Sequence, residues 1–271
     1  MLDKNFIFLA GLHRSGTSLL HEIIRGHPEI SGFSDTGAPE DEGQHLQSVF
    51  NFVGGVGQFA LKKGSYMDES HPLATEENAK RLFQQWSQYW DLSREYLVEK
   101  SPPNIVRTRF LQALFPDSKF VIILRHPIAV SYASKIMREV TFNKNRKKKK
   151  IPIKSYLENA LLAYEIFLGD IDKLDNVYVL KYEEFVLEPQ KSVDDIFCFL
   201  ELDPINITHK IRADVNQKYF SLWEKDQKKL FSRYFLGNVD KMENRAREFG
   251  YSLKNVYTLS PCSMGGPRKS G

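Results

Sequence analysis

Two cysteines in 271 residues, Cys198 and Cys262, leave no disulfide framework to build. Histidines and cysteines do not gather at metal-ligand spacing either, so the sequence implies no metal site. Cys198 lies in the apolar run Ile196-Phe-Cys-Phe-Leu200, where a buried free thiol is expected; Cys262 sits in a Ser/Gly/Pro-rich tail, 259–271, expected to be disordered. No apolar stretch approaches the roughly 18 residues that a membrane span needs. No basic-then-apolar leader precedes the first strand. These absences point to a cytoplasmic protein, or to one of the Golgi lumen whose N-terminal anchor has been removed. Internal repeats are absent too, and one α/β domain over 1–258 is the expectation. Net charge is only +4, and much of it comes from one run, Lys144-Asn-Arg-Lys-Lys-Lys-Lys150. That run reads as a solvated loop or as a docking patch for an acidic partner. Aromatics are not interleaved with it, which argues against a nucleic-acid reader.

A different absence organises the rest. Phe6–Ala10 is a short apolar run, the signature of a buried parallel strand, and Thr17–Arg25 follows at helical spacing with Leu20, Ile23 and Ile24 on one face. Between them Gly11 and Gly16 bracket a turn that nearly spells a nucleoside-triphosphate loop. Ser18 stands where a magnesium-binding hydroxyl would be, but position 17 is Thr where that motif needs Lys. Nothing in the loop then reaches a γ-phosphate. The basic residue sits inside the loop instead, at Arg14. Strand, glycine turn and helix still aim backbone N–H groups and a helix dipole at one point, which makes a phosphate site.

Further along, residues 26–75 are irregular and 76–90 read as helical. Strands are expected at 96–100, 119–124 and 177–180, alternating with helices at about 102–115, from Pro127, at 154–172 and at 189–200. This alternation predicts a parallel sheet covered on both faces, with ligands bound beyond the carboxyl ends of the strands. Cations follow four of those strands: Arg14, Lys100, Arg125 and Lys181. Together they predict a polyanion site on one rim.

Most of residues 5–200 resembles the sulfotransferase superfamily that uses 3′-phosphoadenosine 5′-phosphosulfate (PAPS), in its bacterial and tyrosylprotein-type branches. Arg14-Ser-Gly-Thr-Ser18 is similar to that family's 5′-phosphosulfate loop, and Leu124-Arg-His-Pro-Ile-Ala-Val-Ser-Tyr-Ala-Ser134 to its 3′-phosphate motif. Lys181-Tyr-Glu-Glu-Phe185 resembles its adenosine-side strand and helix. Glu99-Lys-Ser-Pro102 and His27-Pro-Glu-Ile30 resemble segments of the same branches. The resemblance implies a P-loop-containing three-layer fold with a central parallel sheet flanked by helices. It implies PAPS as donor, adenosine 3′,5′-bisphosphate as product, no metal, and a small-molecule, glycan or peptide hydroxyl as acceptor.

On that resemblance Arg14 and Lys100 neutralise the transferring group, and Ser15, Gly16, Thr17 and Ser18 hold the 5′-phosphate. Arg125 takes the 3′-phosphate, and Tyr182 packs near the adenine. The family places a Ser eight residues after the Arg, but here that position is Ala133. Ser134 lies about 100° from it on the helix and Ser131 about 200°, so Ser134 is the favoured partner. His13 shapes the loop or faces the acceptor. The general base is a carboxylate soon after His-Pro-Glu; an ungapped count gives Asp35, with Glu40, Asp41, Glu42, His45 and His71 as rivals. Segments 32–75 and 201–250 are expected on the acceptor side, where Phe33, Phe50, Phe52 and Phe59 read equally as an apolar acceptor wall or as core. Two other readings stay open: a P-loop nucleotide kinase, which would need magnesium, and a non-catalytic polyanion-binding module, which would show steep salt dependence without turnover.

Overall fold

The computed structural model describes residues 4–52, 55–142, 151–260 and 266–269. Strand β1 (Asn5–Gly11) leads through the glycine loop into helix α1 (Thr17–Ile24), and the short β2 (Ile30–Gly32) follows. After a long segment whose described residues form only tight turns come α2 (Glu76–Trp86), β3 (Tyr96–Lys100), a 3-10 turn at Pro102–Val106 and α3 (Thr108–Leu114). Next are β4 (Lys119–Leu124), α4 (Pro127–Phe142), α5 (Ile153–Asp170) and β5 (Asn176–Lys181). The described chain then adds α6 (Tyr182–Leu187), α7 (Pro189–Leu200), α8 (Gln217–Gln227), α9 (Ser232–Leu236), α10 (Val239–Arg247) and β6 (Gly266–Lys269).

The strands form one sheet in the order β2-β3-β1-β4-β5-β6. β1 to β5 run parallel, with Phe8 opposite Glu99 on one side and Phe120 on the other. This is the parallel α/β sheet that the alternating pattern and the family resemblance imply. β6 alone is antiparallel, pairing Arg268 with Val177. That strand corrects the expectation of a disordered tail at 266–269; Cys262 and the basic run at 144–150 lie outside the described residues.

Both faces are buried because successive β1 side chains take opposite sides. Phe6, Phe8 and Ala10 enter one core with α2 to α5, α8 and α10. Ile7 and Leu9 enter another, with Leu20, Ile23 and Ile24 of α1 and Val193, Ile196 and Phe197 of α7. Cys198, between two such core residues, faces out and is exposed, which corrects its expected burial. Helix 76–90 ends early: α2 stops at Trp86, capped at its start by Thr75, and Trp90 instead donates from Nε1 to Val98 O at 3.1 Å. Phe33, Phe50 and Phe59 are core residues, whereas Phe52 is 42% exposed. Among the described residues no helix is long and apolar enough to cross a membrane.

Candidate active site

β1 ends at Gly11 because the next turn leaves it no room to be anything else. A Cβ there would stand 2.6 Å from Ile123 O on the adjacent strand and 2.7 Å from Ser15 Oγ. The loop then turns through Arg14, whose φ of 69° is left-handed, and Gly16, whose φ is 106°. Ser15 N donates to Leu12 O at 3.0 Å, closing the turn. The first helical amide to find an acceptor is Leu20 N, bonded to Gly16 O at 3.1 Å, and no side chain caps the helix. The amides of Gly16 to Leu19 ahead of it therefore have no acceptor within the helix. Ser15 Oγ is fully buried without a hydrogen-bond partner. That hydroxyl packs under Gly11 and does not line the cavity beside the loop, but open donors and a helix N-terminus meet there, which suits an anionic group.

This loop forms part of the wall of a cavity of about 270 Å³, which Arg125, Tyr182, Glu40 and Glu42 also line. A larger cavity, about 350 Å³, lies between α9 and α10 around Leu236 and Asn238, away from every loop residue named above.

Arg125, 5% exposed, closes one end of the smaller cavity. Its Nη1 donates to Arg14 O at 2.6 Å, and its Nε and Nη2 both donate to Asn216 Oδ1, at 2.9 and 2.7 Å. The Tyr182 ring lies 4.0 Å from the guanidinium carbon. Tyr164 accepts from Arg125 N and donates to Arg125 O, fixing the backbone. Asn216 is itself held by donating to Glu183 Oε1 at 2.7 Å. Burial lowers the Arg125 guanidinium below the usual arginine range, opposed by the nearby Tyr182 and Glu183. A preset fork of this kind suits a phosphate.

At the other end sits the acidic turn. Lys100, fully buried at the end of β3, donates from Nζ to Glu40 O at 2.6 Å and stands 3.6 Å from Glu42 Oε1. Glu42 is 5% exposed and accepts from Gln44 Nε2 at 2.5 Å. Burial raises its carboxyl above the usual range, although Lys100 pulls the other way. Glu40 is exposed, left-handed at φ 54°, and accepts from Ser18 Oγ at 3.0 Å. His45 stands 3.8 Å from Glu42 and is lowered by burial and by Lys100. His13, tilted against Phe59 in the loop, is lowered to about 3 by burial, then Lys100, His45 and Arg14. Its imidazole is neutral at pH 7.

The structure therefore brings together Arg14, Gly16, Thr17, Ser18, Arg125, Tyr182, Glu40 and His13, and separates others. Asp35, the position given by the ungapped count, is exposed in a left-handed turn at φ 54° and does not line the cavity. The turn at Asp35–Asp41 is the reason: Asp41 turns inward to accept from Thr36, and the residues beyond it approach the loop. His71 also drops out, with Nδ1 accepting from Leu73 N at 3.2 Å and its ring against Phe110. Lys181 turns from the rim: its Nζ donates to Ser260 O at 2.5 Å, and it sits 5.1 Å from the Tyr251 ring. Ser134 donates weakly to His13 O at 3.4 Å, and Ser131 Oγ is buried without a partner. Both serines line a separate small void beneath the loop rather than the cavity. Asn216 escaped the sequence reading, because only folding brings it across 91 positions to Arg125, and Glu183 appeared there only as part of the Lys181–Phe185 motif, without this role.

Residues 6–206 match the family model described as the sulfotransferase family. Among characterised proteins, the chain is 26% identical over 203 residues to protein-tyrosine sulfotransferase 2 of Gallus gallus, covering 73% of this chain and 51% of that one. It is 22% identical over 231 residues to nodulation protein NoeE of Sinorhizobium fredii, covering 74% and 51%. The chain thus spans about half the length of these curated relatives. Its fold is similar to that of sulfotransferase STF9 from Mycobacterium avium, with a TM-score of 0.57 at 10% identity over 92% of this chain and 76% of that one. By its sequence, the chain belongs to the sulfotransferase family.

Proposed function

We propose that the chain transfers a sulfuryl group from PAPS to an acceptor hydroxyl. The observation that carries this is the set of groups that line one cavity: an uncapped helix N-terminus, a clamped Arg125 and a buried carboxylate. Such a donor set fits a bisphosphorylated nucleotide, with the 5′-phosphate at Ser15–Ser18 and the 3′-phosphate at Arg125. When bound, PAPS supplies a sulfuryl group on a phosphate leaving group that a hydroxyl can displace in line. Arg14 and Lys100 bring positive charge to that end, and the loop amides stand ready for charge on the leaving side.

Glu42 takes the acceptor proton in this reading. Its carboxylate lines the cavity, and the raised proton affinity that burial gives it suits a base. Glu40, bonded to Ser18, belongs to the wall of the donor end. The acceptor is a peptide, glycan or small-molecule hydroxyl; the tyrosine-sulfating relative makes a tyrosyl peptide the first to try. Location in the cytoplasm, with PAPS made there, is part of the same proposal.

Calorimetric titration with adenosine 3′,5′-bisphosphate, without magnesium, tests the donor site. The wild type is expected to bind it at least tenfold more tightly than 5′-AMP. Arg125→Ala, and to a lesser degree Arg125→Lys, should remove that preference, since a charge-assisted hydrogen bond is worth about 1.5–3 kcal/mol. Equal, weak binding of both nucleotides would sink the proposal, and ATP with magnesium would be titrated next.

The pH dependence carries a sign. Protonated Glu42 cannot accept a proton, so turnover should fall as pH falls through its raised pKa, giving an acidic limb above the ordinary carboxylate range. Lys100→Met should move the limb to still higher pH, because the ammonium favours the ionised carboxylate. A limb that stays put in a kcat–pH profile of that variant would remove Glu42 from the role.

A further inference from the structure

Beneath the acidic turn lies a second carboxylate that the donor and acceptor chemistry does not use. Glu99, on β3 next to Lys100, is 1% exposed. Its Oε1 accepts from Ser101 Oγ at 2.5 Å and its Oε2 from Asn104 Nδ2 at 2.6 Å. The same Ser101 Oγ accepts from Gln44 N at 3.0 Å, so one hydroxyl ties the carboxylate to the backbone two residues after Glu42. Gly43 lies directly on Glu99: a Cβ there would stand 2.5 Å from Oε1 and 2.6 Å from Cγ. From above, Trp86 Nε1 donates to Gly43 O at 2.9 Å. Gly43 is thus held on both sides, and the chain can approach so closely only because it has no side chain.

Two cations balance the buried charge. Lys100, the next residue on β3, is bonded to Glu40 O, stands 3.6 Å from Glu42 Oε1 and favours the ionised form of both carboxylates. On the far side Arg107 is fully buried over the Phe50 ring, 4.9 Å from its centroid, with Nη1 and Nη2 unpartnered. The one described hydrogen bond of its side chain runs from Nε to Ser65 O at 3.3 Å. Burial lowers Arg107 to about 10, opposed by Glu99, and raises Glu99 to about 7, opposed by the Ser101 hydrogen bond and Lys100. A buried carboxylate costs stability unless its hydrogen bonds are filled. Here each oxygen has a donor from a side chain, and one of those donors, Ser101, also holds the turn through Gln44 N.

We infer that Glu99 is a positioning residue. Through Ser101 and the seat it forms for Gly43, it holds Glu42 at the cavity, while Glu40 keeps its own ties to Lys100 and Ser18. The inference rests on the reading of Glu42 as base for its effect on rate, but its effect on the turn stands apart from that reading. A carboxylate displaced by about 1 Å can lose on the order of 10²-fold in rate without any change in donor affinity.

The test uses the full chain with Glu99→Ala, Glu99→Gln and Ser101→Ala and reads three quantities. Amide exchange at Gln44 should accelerate at least tenfold in Glu99→Ala and in Ser101→Ala. Release of adenosine 3′,5′-bisphosphate from PAPS, with a tyrosyl peptide as acceptor and with water alone, should fall about 10–100-fold in kcat. KM for PAPS and the calorimetric affinity for the bisphosphate should stay within twofold. Glu99→Gln keeps an oxygen for Ser101 and should recover most of the rate. If Glu99→Ala does not fold, Ser101→Ala keeps the carboxylate and carries the same readouts. Unchanged Gln44 exchange overturns the inference, as does a loss of bisphosphate affinity in step with kcat. A wild type that binds no bisphosphate defeats the donor reading instead, and Gln44 exchange then still decides whether Glu99 holds the turn.

Discussion

Glu42→Gln is expected to cut turnover by about 10²–10⁴-fold, the usual contribution of a positioned base, with bisphosphate affinity within a factor of two of wild type. The substitution is nearly isosteric. Its side-chain oxygen can still accept from Gln44 Nε2, where the wild-type bond is 2.5 Å, so the turn should hold. What disappears is the proton affinity, together with the partner of Lys100 at 3.6 Å. The freed ammonium remains bonded to Glu40 O, so the buried cation is not left entirely unpaired. Glu40→Gln is the comparison. Glu40 is exposed and bonded to Ser18, so its loss should change PAPS affinity more than turnover. Single-turnover kinetics beside calorimetry separate the two. If Glu40→Gln proves the slower enzyme and Glu42→Gln retains full turnover, the roles given to these carboxylates are reversed.

Gly16→Val should abolish detectable bisphosphate binding and lower stability by about 2–4 kcal/mol. Two independent effects meet at this residue. Its backbone is left-handed at φ 106°, which a β-branched residue adopts only under strain. A Cβ would also stand 2.9 Å from Tyr182 Cδ2 and 3.3 Å from Ile123 Cδ1. Tyr182 cannot retreat freely, because the Arg125 guanidinium lies 4.0 Å from its ring. The loop must move instead, and with it the amides of Gly16 to Leu19 that head α1. Urea denaturation reads the stability change, and calorimetry reads the binding. A stable Gly16→Val that binds the bisphosphate normally would mean that the loop amides do not form the anion site.

Much of the scaffold was legible in the chain because its signals are local. Phe6–Ala10, Tyr96–Lys100 and Lys119–Leu124 are short apolar runs that end at glycine, proline or a cation, and each is a parallel strand. Gly16 marks its turn because only glycine rests easily at that φ. Arg125 could be read for the same reason, as the first residue after a strand that ends in a sheet crevice. The Ser134 reading shows the limit. Helical angles favoured it over Ser131, but they do not say which face meets the cavity, and both serines line the void under the loop instead.

The sequence by itself determined the parallel sheet, the glycine loop between β1 and α1 and the arginine beyond β4, since each depends on residues within one strand, turn or helix. Only the tertiary structure decided which groups complete the site. Asn216 reaches Arg125 from 91 residues away, Lys100 reaches the Glu40–Glu42 turn from 60 away, and Lys181 is drawn off to Ser260. Those choices turn on distances of a few ångströms between segments remote in the chain. They are fixed by how the cores on the two faces of the sheet pack, and no local pattern of residues carries that information.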